Sequence, residues 1–255
     1  MLILPLYDDT PVPRLPIATF GLIAGCAAVF LWQRGLPPRM AAAAIYSYGM
    51  IPAVLFGNME LPAHLRVLPA PATLISSMFL HGGWAHLLGN MLFLWLFGRG
   101  VESAMGSGRL LLFYLVCGVV AGLIQACTNP TGEVPMIGAS GAIAGVLGAY
   151  LILHPRGNVT VFVWFFIFIR FIAVPAIVLL GAWFLLQLLS ATASNPAEPG
   201  VAFWAHVGGF LAGMALIPFF RRRGVRIWHP SRSSAFSVSR RRSGPWDRAP
   251  RNPWR

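Results

Sequence analysis

The 255-residue chain is 57% hydrophobic and only 10% charged, with a mean hydropathy of +0.70. Soluble domains carry about 25% charged residues, so the composition excludes that class and predicts a chain that crosses a membrane several times. Its formal charge of +12 comes from 19 arginines set against seven acidic residues. Eleven of those arginines follow Phe220, where they mark the cytoplasmic side of a span rather than a nucleic-acid site.

Taken in chain order, residues 1–16 read as a cytoplasmic N-terminal segment. Its acidic pair, Asp8 and Asp9, stands where a signal peptide would be basic, so no cleaved signal is expected. Six spans follow: Ile17 to Trp32, His86 to Phe97, Leu110 to Ala126, Ser140 to Leu153, Phe171 to Ser190 and Val201 to Phe220. The expected fold is thus an all-α bundle of six transmembrane helices over residues 17–220, with both termini cytoplasmic. The apolar stretch AAAAIYSYGMIPAVLFG (residues 41–57) is short and broken by Gly49 and Pro52, so it is read as a loop at the membrane interface. Val159 to Arg170 is also read as interfacial, because Arg170 would be costly at the bilayer centre. Residues 221–255, rich in arginine and without apolar periodicity, read as a disordered cytoplasmic tail held to anionic lipid headgroups.

The arginines support this topology. Arg14, Arg99, Arg109, Arg156, Arg170 and the tail fall on the cytoplasmic side, and the outer loops after the third and fifth spans hold none. Only the long first outer loop breaks the pattern, with Arg34, Arg39 and Arg66, and long loops obey the rule weakly. The three cysteines, Cys26, Cys117 and Cys127, have the spacing of neither a metal site nor a disulfide framework.

Spans two, four and six run in the same direction, so their N-terminal ends share the outer face. The polar residues that stand out lie at those ends: His81, His86 and Asn90, then Ser140, then His206. From Ser140 to His154 is ~21 Å of helix against a hydrocarbon core of ~30 Å, which sets the serine below the outer surface. A serine in a Gly/Ala-rich membrane helix is by default a small packing residue. Beside a histidine base it becomes a nucleophile. Its own N–H opens a helix, and Asn90 and His86, four residues apart on one helix face, offer further donors to an oxyanion. No carboxylate lies in these regions, so the arrangement is a Ser–His dyad. The Gly209–Gly213 pair reads as a close-packing device that draws span six to span four. A haem or metal role for His81, His86 and His206 is the rival chemistry at these positions.

Three motifs, HGGWAHLLGN (residues 81–90), GASG (138–141) and AHVGGFLAG (205–213), together resemble the rhomboid intramembrane serine proteases. The resemblance runs from about Ile17 to Phe220. It implies a cofactor-free endopeptidase that cuts single-span or other transmembrane substrates near their outer membrane end, in a bacterial inner membrane. Ser140 would be the nucleophile and His206 its base, with His86 and Asn90 holding the oxyanion. His81 would tie the first loop to the bundle, and Glu102 and Gly106 would brace helix ends. Two departures stand out. The Trp-Arg pair of some members does not precede His81, and a common tyrosine one turn after the nucleophile is here Ala144. Phe210 or Trp204 is expected to hold the imidazole in its place. A non-enzymatic relative that binds membrane proteins for quality control is the alternative.

Overall fold

The computed structural model describes residues 2–10, 12, 14–195, 200–228 and 235. Nine α-helices form among these residues: α1 (Ile17–Gly35), α2 (Pro38–Tyr48), α3 (Pro52–Leu55), α4 (Thr73–Ser76), α5 (Trp84–Met105), α6 (Ser107–Thr128), α7 (Ser140–Leu153), α8 (Ala176–Ala193) and α9 (Phe203–Phe220). Four of them, α1, α6, α8 and α9, are long and apolar enough to cross a membrane by length and composition. The 22-residue α5 and the 14-residue α7 complete the bundle. All but three residues of α7 are buried, which makes it the central helix.

Glycines set the closest approach. A Cβ at Gly209 would run into the carbonyl oxygen of Gly141, and one at Gly213 into that of Gly145. From the other side, a Cβ on Gly148 would strike the Phe210 carbonyl. Helices α7 and α9 therefore meet backbone to backbone over two turns, the contact that small residues permit.

The expectation of an all-α chain is corrected by a three-stranded antiparallel sheet in the order β1 (Leu2–Asp8), β2 (Asn158–Phe165), β3 (Phe168–Pro175). Register runs from Leu2 opposite Trp164 to Asp8 opposite Val159, and from Asn158 opposite Pro175 to Phe165 opposite Phe168. The run read as interfacial, Val159 to Arg170, is most of this hairpin, and Phe171 lies in β3 rather than in a span. The fifth span accordingly begins five residues later, at Ala176. β-Branched and aromatic residues dominate the run, and those residues suit a pleated surface as well as they suit hydrocarbon. The second span is also longer than expected, reaching Met105. The added turns hold a charge that is accommodated within the helix: Arg99 pairs with Asp8 at 3.5 Å and stacks 4.3 Å over Trp95.

Residues 41–57, expected as a loop, hold most of α2 and all of α3. The first eight residues of the expected disordered tail are tied to the bundle by backbone bonds, with Val225 buried among them. The Arg222 N–H donates to the Ala104 carbonyl and the Trp228 N–H to that of Ile152. The rest of that tail, apart from residue 235, lies outside the described residues. Both contacts gather at the sheet end of the bundle, since β2 follows directly from the C-terminus of α7.

Glu102 braces that end. Its carboxylate is 3% exposed and accepts from the Ala18 N–H (2.9 Å), the Thr19 N–H (2.8 Å), the Thr19 hydroxyl (2.7 Å) and the Ser107 hydroxyl (2.6 Å). One side chain thus satisfies the orphan donors that begin α1 and adds a bond to the first residue of α6. Glu102→Ala is expected to destabilise the fold by about 3 kcal/mol, because it strands two buried N–H groups. Glu102→Gln, which keeps one acceptor, should lose less. Thermal unfolding of the three proteins in detergent checks the order.

Candidate active site

The end of the bundle opposite the sheet is where α5, α7 and α9 begin. Each brings one polar element to a cavity of about 600 Å³ lined by Ser140, His206, His86, Asn90 and Gly138. Ser140 is the first residue of α7, so its N–H has no acceptor within the helix. Its Oγ lies 2.8 Å from Nε2 of His206. The backbone contact between α7 and α9 explains this distance. Gly141 follows the serine directly and Gly209 lies three residues beyond the histidine, so the glycine pair in contact is the next layer of the same interface.

The wall from α5 comes within reach through Gly138. This glycine has φ +125°, a conformation other residues rarely adopt, and a Cβ there would stand 2.7 Å from Cε1 and Nε2 of His86. Its own N–H is anchored on the Ser77 carbonyl at 2.8 Å. His86 Nδ1 accepts from the Gly82 N–H at 3.4 Å, an arrangement that favours a hydrogen on Nε2, and the Cε1–Nε2 edge of the ring faces Gly138. Asn90, 8% exposed, has a buried Nδ2 with no hydrogen-bond partner. A buried, unsatisfied amide donor costs about 1–3 kcal/mol, and Asn90 lines the same cavity as Ser140 and His206.

His81 stands behind this wall. Its backbone N–H donates to Gln33 Oε1 at 3.1 Å, joining the loop before α5 to α1. Its ring meets His86 edge-on at 5.2 Å between centroids. Burial, and secondarily the neighbouring His86, push the His81 imidazole down to about 4, so it is neutral near pH 7.

The imidazole of His206 is not held as expected. Its neighbours are on α8: Gln187, whose Oε1 is 2.7 Å from Nδ1, and Trp183, with ring centroids 5.9 Å apart and planes tilted by 33°. Phe203 meets the ring edge-on at 6.4 Å. Phe210 stacks on Phe184 and leans on Trp183, one layer behind the imidazole, while Trp204 lines a separate hollow. Nothing in the sequence singled out Gln187 except that it is a lone amide within an apolar helix.

A family model described as a rhomboid domain matches residues 70–223. The chain is 34% identical to RHOMBOID-like protein 5 of Arabidopsis thaliana over 56% of its own length and 42% of that protein. It is 46% identical to rhomboid protease GluP of Bacillus subtilis over a shorter stretch, 31% of this chain and 15% of that one. With the mitochondrial presenilin-associated rhomboid-like protein of Mus musculus it shares 29% identity over 84% of this chain and 53% of the relative. The chain therefore spans about half or less of the length of these relatives. What fold and site define is a helical integral membrane protein with a polar cavity at one end of its bundle. The chain belongs to the rhomboid family.

Proposed function

We propose that the protein is an intramembrane serine endopeptidase that uses Ser140 and His206 to cut membrane-protein substrates. The observation that carries the reading is the 2.8 Å contact between Ser140 Oγ and His206 Nε2, in a cavity that the unpaired Asn90 also lines. In this mechanism His206 Nε2 takes the serine proton as Oγ attacks the scissile carbonyl carbon. The resulting oxyanion faces the Ser140 N–H, Asn90 Nδ2 and His86 Nε2–H. His206 then passes its proton to the leaving amine, and a water activated by the same nitrogen hydrolyses the acyl-enzyme. No step calls for a metal or cofactor.

The same reading takes α1, α5, α6, α7, α8 and α9 as six spans, with both termini and the sheet on the cytoplasmic side and the cavity toward the outer face. The distribution of arginines supports that orientation. Enclosing the site also suits the reaction, because a peptide bond unwound in hydrocarbon would leave its polar groups unpaired. Substrates are transmembrane proteins, and the arginine-rich tail is expected to rest on anionic headgroups. The relatives include mitochondrial proteins and plant ones, so kinship does not single out the bacterial inner membrane that the sequence reading favoured.

The test is cleavage of a single-span model substrate by the purified protein in liposomes, together with labelling by a fluorophosphonate. Cleavage near the substrate's outer end and covalent label on Ser140 are expected. Intact substrates and an unlabelled serine would overturn the protease reading in favour of a binding-only membrane factor.

A further inference from the structure

We infer that Gln187 is a positioning residue for His206: it fixes the tautomer that leaves Nε2 free to take the Ser140 proton, and it supports the imidazolium that forms. The inference rests on the protease reading above.

Helix α8 is apolar from Ala176 to Leu189 apart from this amide. Its Leu185, Leu186 and Leu189 face outward, 53–60% exposed, whereas Leu180 and Ala191 are buried against the bundle. Gln187 lies four residues after Trp183, so the two share one face, and both reach His206. An amide in such a helix needs a partner, and this one finds the imidazole at 2.7 Å.

A carbonyl oxygen can only accept a hydrogen bond, so Nδ1 must carry the ring's hydrogen. Nε2 then presents its lone pair to the Ser140 hydroxyl, 2.8 Å away. Without the amide the two tautomers compete, and the wrong one points an N–H at the serine. The bond also strengthens as the ring gains charge, since its donor becomes cationic. A carboxylate in this place would support the cation more strongly, but it would bring a full negative charge into apolar surroundings, where desolvation is costly. The neutral dipole of the amide orients the ring without that charge. This also accounts for a site that reads as a dyad: its third member is an amide from a helix that carries no catalytic motif.

The experiment compares wild type, Gln187→Leu and Gln187→Glu. Leucine keeps the bulk and the apolar character of α8 but removes the acceptor; glutamate restores an acceptor. For Gln187→Leu, kcat is expected to fall about 10- to 100-fold, the range a hydrogen bond to a developing charge is worth, with KM changed by about twofold or less. Gln187→Glu should recover most of the loss. ¹⁵N spectra of histidine-labelled full-length protein should show His206 as the Nδ1–H tautomer in wild type and as a mixture in Gln187→Leu. A wild-type kcat in Gln187→Leu, or an Nε2–H tautomer in wild type, overturns the inference. A wild type that cuts no substrate refutes the protease reading instead, and the ¹⁵N tautomer then decides on its own whether Gln187 sets the ring.

Discussion

Ser140→Ala and His206→Ala should each lower kcat by about 10⁴-fold or more, and the double variant should be no worse than either alone. On the proposed protease reading, nucleophile and base act as one unit: with either gone, the other has nothing to do. Their 2.8 Å contact is the physical form of that dependence. Any cleavage that remains would come from the donors around the oxyanion position, Asn90, His86 and the Ser140 N–H, which all three variants keep. Both side chains become smaller; Ser140→Ala leaves only His206 Nε2 without its partner and His206→Ala leaves Ser140 Oγ and Gln187 Oε1 without theirs, all beside the cavity, so the variants should fold. Thermal unfolding confirms that, and single-turnover cleavage in liposomes gives the rates. Additive losses in the double variant would mean that the two groups act independently and would sink the dyad.

The second large effect is structural. Gly213→Val should separate α7 from α9, cost about 3 kcal/mol or more, and remove at least 10²-fold of the activity. A Cβ at Gly213 has no free volume, because it falls on the backbone of Gly145 rather than on a side chain that could turn aside. The helices must move apart, and the same interface carries Ser140 and His206. A displacement of ~1 Å between reacting groups is enough for that loss. Gly21→Ala and Gly181→Ala serve as controls, since nothing lies within 4 Å of a Cβ at either position. Melting temperature and cleavage rate should fall together for Gly213→Val and stay near wild type for the controls.

How far the sequence carries toward this architecture differs from element to element. The meeting of α5, α7 and α9 at one end was legible because His86, Asn90, Ser140 and His206 are polar exceptions placed just where apolar segments begin. The small residues of α7 and α9 announced their contact through spacing alone. The sheet was not legible. A run such as VTVFVWFFIFIRFIAV has the hydropathy of a membrane segment, and alternation is hidden when both faces of a strand are apolar. Its partner LILPLYD is far away in the chain and too short to declare itself. Gln187 was missed for a different reason: one amide in an apolar helix has no periodic relation to a histidine on another helix. The far end of α5 was not legible either: the expected span stopped at Phe97, whereas the helix runs on through Arg99 and Glu102, whose charges find partners within the fold.

The sheet has a bearing on how the molecule is made. Asp9 bonds to Asn158 across 149 residues of chain, and among the described residues β1 pairs with β2 alone. Synthesis at about 5–20 residues per second leaves β1 waiting roughly 7–30 s while α1, α5, α6 and α7 are made. Closing so long a loop is also the slowest kind of pairing for a chain to achieve. The sheet can therefore form only once α7 has been made, and it then ties the first residues of the chain to the strand that follows the helix Ser140 begins.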